Sequence, residues 1–266
     1  MNEKMDSESL IEKTISAHKE LLESLQKCKE KGINTVDLFS TYHYVPDKFL
    51  KKLLAKFSGF VSDTKPSDKE KQDAGYLLEQ IAILSFGSLQ GWNNLKSYQS
   101  AGAQYDLLMS GSSPEWDTIF SLLNLEGLPK GFLLEAKATQ SPISDSQISR
   151  LSSLVSHNFE KTVGVGIFFS INSISGFPKK IGERHRKASD GFLKQIIFYC
   201  KTGIPIIVFD KDDILQLDKK GSLLKILDRK IREIEEMTGT KIEVEDPEII
   251  DIPNKFSEVL KCLKRV

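Results

Sequence analysis

Apolar residues Leu10, Ile11, Ile15, Leu21, Leu22 and Leu25 recur at roughly helical spacing from Ser7 to about Lys31, and Gly32 ends the pattern, which predicts an amphipathic helix. A second helical stretch runs from Pro46 to Phe57, and the polar, proline-bearing segment Ser62 to Lys69 reads as a linker. Lys69 to Leu89 predicts a long helix in which Leu77, Leu78, Ile81, Ala82 and Leu84 would pack on a sheet, with Glu79 and Gln80 in its middle. Beyond Gly91 the period changes. Tyr105, Leu107 and Met109 alternate with Asp106 and Leu108 in a short strand bounded by Gly102 and Gly111. Pro114 to Leu125 predicts a helical insertion with proline in its first turn, and Gly131 to Ala138 predicts a strand. Ile148, Leu151, Leu154 and Val155 then place a helix over Ser144 to Phe159, followed by a buried strand from Val163 to Ile171, so that strand, helix and strand form a crossover. A further helix from about Ser189 to Lys201, stopped by Gly203, leads to a strand from Ile204 to Phe209. The tail from Leu223 predicts a helix to Met237, a short extended piece and a last short helix.

A chain of 266 residues, 39% of them hydrophobic, can bury one substantial core. Its 37 basic and 37 acidic residues cancel, which excludes a global basic field and requires any nucleic acid site to be a local patch. Cys28, Cys200 and Cys262 lie far apart with no zinc-type spacing, as expected of free thiols in a reducing cytosol. The N-terminus is polar and acidic, and no apolar run approaches the roughly 18 residues of a membrane span, so the expectation is a soluble, cytoplasmic protein with no membrane partner.

Side chains alternate along the strand Gly131 to Ala138, so Leu133, Glu135 and Lys137 share one face while Phe132, Leu134 and Ala136 share the other. A carboxylate beside an ammonium in an otherwise apolar strand is costly, because burying either charge alone costs several kcal/mol and a pair barely recovers its desolvation. Phosphodiester hydrolysis supplies a reason to keep the pair. Carboxylates hold a hard cation such as Mg²⁺, which stabilises charge on the phosphate and lowers the pKa of a bound water, and a lysine orients that water or screens the oxyanion. Asp106 would reach the same cation if its strand pairs antiparallel with this one, and Glu79 could add a carboxylate from the preceding helix.

Asp106, then Glu135-Ala136-Lys137, preceded by a helix bearing Glu79 and followed by a helix and a strand, resembles the PD-(D/E)XK nuclease superfamily. The resemblance covers Lys69 to Phe209, about half the chain, and departs from the written motif in having Tyr105 where the motif has proline. It implies an α/β fold with a restriction endonuclease-like core: a central mixed β-sheet flanked by helices, spanning residues 66–215, with helical extensions at 1–65 and 216–266. By that resemblance Asp106 and Glu135 would be metal ligands for Mg²⁺ or Mn²⁺, Lys137 would position the attacking water, and Glu79 would be an accessory ligand or base. The implied activity is a metal-dependent endonuclease, acting on DNA in restriction, repair or foreign-DNA defence. Two alternatives stand beside it: an inactive nuclease-like module that binds nucleic acid or protein within a larger complex, and a phosphoesterase directed at RNA or nucleotides.

Gln147, at the start of the helix after the motif, is placed by the same resemblance near the phosphate, with a solvent-exposed helix residue as the equal alternative. Lys179, Lys180, Arg184, Arg186, Lys187 and Lys194 against Glu183 and Asp190 give a local excess of four positive charges that could grip backbone phosphates. His185 within that stretch is a less favoured general base. Glu115 and Asp117, beside Trp116, read as a helix-start acidic cluster rather than metal ligands. Trp92, Tyr98 and Tyr105 could stack on bases but read better as core. The helix from Ser7 to Lys31 could pair with a second copy to form a homodimer.

Overall fold

Five strands form one mixed sheet in chain order: β1 (Trp92–Tyr98), β2 (Tyr105–Gly111), β3 (Gly131–Lys137), β4 (Val165–Ser170) and β5 (Ile206–Phe209). The computed structural model describes residues 27–28, 30–32, 35–62, 67–98, 105–176 and 191–238. β1, β2 and β3 pair antiparallel, whereas β3, β4 and β5 pair parallel, so β3 is the strand on which the two halves meet. The helices are α1 (Thr35–His43), α2 (Leu50–Ser62), α3 (Asp68–Gly87), α4 (Pro114–Leu122), α5 (Asp145–Ser153), α6 (Gly191–Thr202), the single-turn α7 (Lys211–Ile214) and α8 (Ser222–Met237). The long helix expected at Lys69 is α3, begun by Ser67, whose hydroxyl accepts from the Glu70 N–H while the Glu70 carboxylate accepts from the Ser67 N–H.

The two faces of the sheet carry separate cores. One unites Phe132, Leu134, Ile167 and Phe209 of the sheet with Leu78, Ile81 and Phe86 of α3, Trp116 and Phe120 of α4, and Leu223, Leu227 and Ile231 of α8. Leu50, Leu54 and Phe57 of α2 join it. The described parts of both flanking segments therefore share the apolar cluster of the sheet, and the buried Tyr44 hydroxyl ties them by donating to the Leu217 carbonyl at 2.6 Å. The other core sets Leu133, Phe168, Ile206 and Val208 against Ile148, Leu151 and Val155 of the crossover helix. α5 continues into a single π-helical turn, Leu154–Asn158, closed by the Phe159 N–H on the Leu154 carbonyl, so the helix expected over Ser144 to Phe159 ends in a wider turn.

Other expectations meet the structure in detail. The N-terminal amphipathic helix lies outside the described residues except for its last turn, which ends at Gly32 with φ 69°. Trp92, expected in the core, stands on the edge strand β1 with 39% of its surface exposed, while Tyr105 is buried as expected. Asp117 pairs with Lys130 at 2.6 Å in the first turn of α4, as befits a helix-start charge. Cys28 and Cys200 are free thiols. No helix among the described residues is long and apolar enough to cross a membrane.

Candidate active site

The ladder between β2 and β3 runs from Ser110 opposite Gly131 to Leu107 opposite Leu134, a register that, extended by one residue, sets Asp106 across from Glu135. The paired rungs stop there. The next amide of β3 facing β2 belongs to Ala136, since alternate residues point their N–H groups to the same neighbour, and it donates to Oδ2 of Asp106 at 2.5 Å. A side-chain carboxylate thus replaces a backbone carbonyl as the acceptor at the end of the ladder. Asp106 is fixed beside Glu135 by the hydrogen bond its own strand relinquishes.

Period-two alternation carries Leu133 into the crossover-side core and brings Glu135 and Lys137 out on the same face, where Nζ of Lys137 lies 2.5 Å from Oε1 of Glu135. Only 3% of the Glu135 side chain is exposed, against 31% of Lys137. Arg150 of α5 also meets Oε1 through its Nη2 and is 41% exposed, so two cations form a solvent-facing rim over one buried carboxylate. Neither oxygen of Glu135 receives a hydrogen bond of good geometry from the described residues; the carboxylate is held by its ion pairs to Lys137 and Arg150. On β4, Ser170 stands opposite Lys137 in register, and its buried hydroxyl likewise bonds to no described residue. Buried serine hydroxyls and a histidine nitrogen without a hydrogen bond occur elsewhere among the described residues, but Glu135 is the one carboxylate in that condition, and a buried charge costs more than a buried hydroxyl.

Burial pushes the Asp106 carboxyl above its ordinary range; the Ala136 amide pulls it back, the Glu135 charge raises it again, and Lys137 and Arg150 lower it. Glu79 is raised chiefly by burial and then by the charge of Asp106. It lies within electrostatic range of the set, although no hydrogen bond or ion pair among the described residues joins it to Asp106 or Glu135. The structure therefore brings Asp106, Glu135 and Lys137 together and leaves Glu79 at the periphery. Gln147 serves the N-terminus of α5: its Oε1 accepts from the Ser144 N–H at 2.8 Å while the Ser144 hydroxyl accepts from the Gln147 N–H. Lys179, Lys180, Arg184, His185, Arg186 and Lys187 lie outside the described residues.

No family model matches the chain, no characterised protein matches it in sequence, and no solved structure matches it in fold. What the site can do follows from its own groups. Among the described residues no set of three or more His, Cys, Asp or Glu side chains converges as a metal cage. Asp106 and Glu135, facing each other across adjacent strands with neither Glu135 oxygen accepting a hydrogen bond of good geometry from the described residues, still fit a hard cation of the Mg²⁺ kind, which is usually held by one or two carboxylates and completes its shell with water and substrate phosphate. The site also lies at the carboxyl ends of the parallel strands β3 and β4, where open α/β sheets bind ligands.

A cavity of about 530 Å³ opens elsewhere, lined in part by Gln195, Asp210, Asp213, Arg229 and Lys230. Its buried Asp213 is already matched by Arg229 and, at 2.8 Å, by Lys230, so this cluster joins α7 to α8, and Asp210 caps α7 by accepting from the Asp212 and Asp213 amides. Two functional candidates on β3's face escape sequence reasoning, Arg150 and Ser170. The only signal either offers is its distance in sequence from the motif, and the pairing depends on how the crossover helix lies on the sheet.

Proposed function

We propose that the chain is a metal-dependent endonuclease with a restriction endonuclease-like core, hydrolysing phosphodiester bonds of DNA in a restriction, repair or defence setting. The observation that carries this reading is the buried Glu135 carboxylate, paired on its own strand with Lys137 and faced across the sheet by Asp106. A divalent cation, Mg²⁺ or Mn²⁺, held by Asp106 and Glu135 would supply charge stabilisation at the phosphate and a water of lowered pKa. Lys137, anchored by Glu135 with its ammonium at the solvent side, would orient the attacking water and screen charge developing on the phosphate oxygen. The Ala136 amide holds the Asp106 carboxylate in place for this task, and Glu79 would act as an accessory carboxylate. RNA and nucleotide substrates present the same phosphate to the same groups and form one arm of the test.

Incubation of the purified protein with supercoiled plasmid, single-stranded DNA and RNA, in Mg²⁺, Mn²⁺ or EDTA, tests the reading. Nicking or linearisation that requires the cation and falls about a hundredfold or more in Asp106→Asn and Lys137→Ala is expected. Cleavage that survives both substitutions would sink the assignment. A second reading, a catalytically inactive module that binds nucleic acid or protein, draws on the two cations already engaging Glu135. Tight, salt-sensitive DNA binding that ignores Mg²⁺, with no cleavage of any substrate, would favour it.

A further inference from the structure

Arg150 reaches Glu135 from a different element than Lys137 does. Lys137 sits two residues along the same strand, so the pleat fixes its proximity, whereas Arg150 projects from α5 across the face of the sheet. The helix lies close there: a Cβ at Gly166 of β4 would stand 2.5 Å from Ile206 Cδ1 and 3.3 Å from Leu151 Cδ2, so Leu151 is seated directly on the strand and its neighbour Arg150 is held over Glu135. The carboxylate thus meets two cations through Oε1, and neither of its oxygens accepts a hydrogen bond of good geometry from the described residues. A divalent cation arriving at Glu135 would meet both side-chain charges, and the repulsion is relieved when one of them swings out into solvent. Arg150 is the more exposed of the two. Its planar guanidinium also matches a phosphate's oxygens bidentately, which a lysine ammonium does not.

The geometry points to Arg150 as an exchangeable counter-ion: it neutralises Glu135 while no cation is bound, and on cation binding it transfers to a phosphate oxygen of the incoming nucleic acid backbone. This rests on the nuclease reading and deepens it by assigning a substrate-positioning residue and by making cation and phosphodiester bind cooperatively, each favouring the arrangement the other needs. The exchange is a rearrangement of ion pairs and involves no covalent step.

Calorimetric titration of the DNA-free protein with Mn²⁺, and of a short DNA duplex in Ca²⁺, separates this role from a structural one, with Arg150→Gln and Arg150→Lys beside the native chain. Arg150→Gln is expected to bind Mn²⁺ about threefold to tenfold more tightly, because a competitor has gone, while its duplex affinity falls and rises less on adding Ca²⁺ than that of the native chain. Arg150→Lys, keeping the charge without the planar fork, should restore the native Mn²⁺ affinity but only part of the duplex affinity. Unchanged or weaker Mn²⁺ binding in Arg150→Gln, in a native chain whose Mn²⁺ binding is lost in Glu135→Gln, overturns the exchange and leaves the nuclease reading standing. A native chain that binds no Mn²⁺ overturns both.

Discussion

Asp106 and Glu135 carry unlike burdens although they face each other. Glu135 is nearly enclosed and matched by cations, whereas Asp106 is held by a backbone amide and has its carboxyl raised, mainly by burial. A carboxyl whose folded pKa exceeds its unfolded value supports folding below that unfolded value, about 4, and the support is lost as pH rises through the folded value. Asp106→Asn keeps an oxygen for the Ala136 amide and removes this penalty. In EDTA at neutral pH it is expected to be more stable than the native chain by up to about 1 kcal/mol, after solvent screening, with the difference closing below about pH 4. Denaturant titrations across pH check this, and a difference independent of pH would contradict it. Glu135 and Lys137 were legible from the sequence because a strand's period of two puts them on one face whatever surrounds it. Arg150 and Ser170 were not, because their meeting with that face depends on the lie of α5 and on the register of β4, which no local pattern specifies.

At the scale of elements, the site is the junction of the β2–β3 ladder with the β3–α5–β4 crossover. The hydrophobic periodicity made α3, β2, β3, α5, β4 and β5 readable, since each buries a continuous stripe or face. β1 was missed because Trp-Asn-Asn-Leu-Lys-Ser-Tyr shows no alternation of apolar with polar residues, and an edge strand with little to bury needs none. α1 was missed because Thr35, Val36, Phe39, Thr41 and Tyr42 are poor helix formers, and packing against α8 overrides that preference. The crossover makes a specific demand at Gly166. Gly166→Val is expected to cost about 1–3 kcal/mol by displacing the Ile206 side chain and crowding Leu151 of α5, and to lower cleavage further than its stability loss alone explains. Ser144→Ala, which removes only the cap of α5, should cost about 1 kcal/mol and leave cleavage near native once the protein is folded. Thermal melts paired with cleavage rates check both, and equal activity in the two variants would separate the lie of α5 from catalysis.

Across the whole molecule, the described helices before and after the sheet are built into the same core. α8 alone contributes Leu223, Leu224, Ile226, Leu227, Ile231 and Ile234 to it. Burying six such side chains is worth roughly 9–18 kcal/mol, which matches or exceeds the net stability of about 5–15 kcal/mol typical of a domain. Ending the chain after Ile214 or Leu215 is therefore expected to abolish cooperative unfolding, seen as loss of near-ultraviolet dichroism; a truncated chain with a native-like melt would show that the C-terminal helix is dispensable. The neutral overall charge leaves affinity for a polyanion to local cations, among which Lys137 and Arg150 rim the carboxylates. The central claim is that the buried carboxylate of β3 is retained for phosphodiester chemistry at the expense of stability. The most direct measurement is the rate of plasmid cleavage against Mg²⁺ concentration for the native chain and Glu135→Gln, with the thermal midpoint of each taken in EDTA. The account predicts saturable, Mg²⁺-dependent cutting in the native chain, a fall of about a hundredfold or more in Glu135→Gln, and a midpoint in the variant that is native or higher. Equal cutting by both proteins, or a Glu135→Gln chain that no longer folds, would show that this carboxylate serves the fold rather than the reaction.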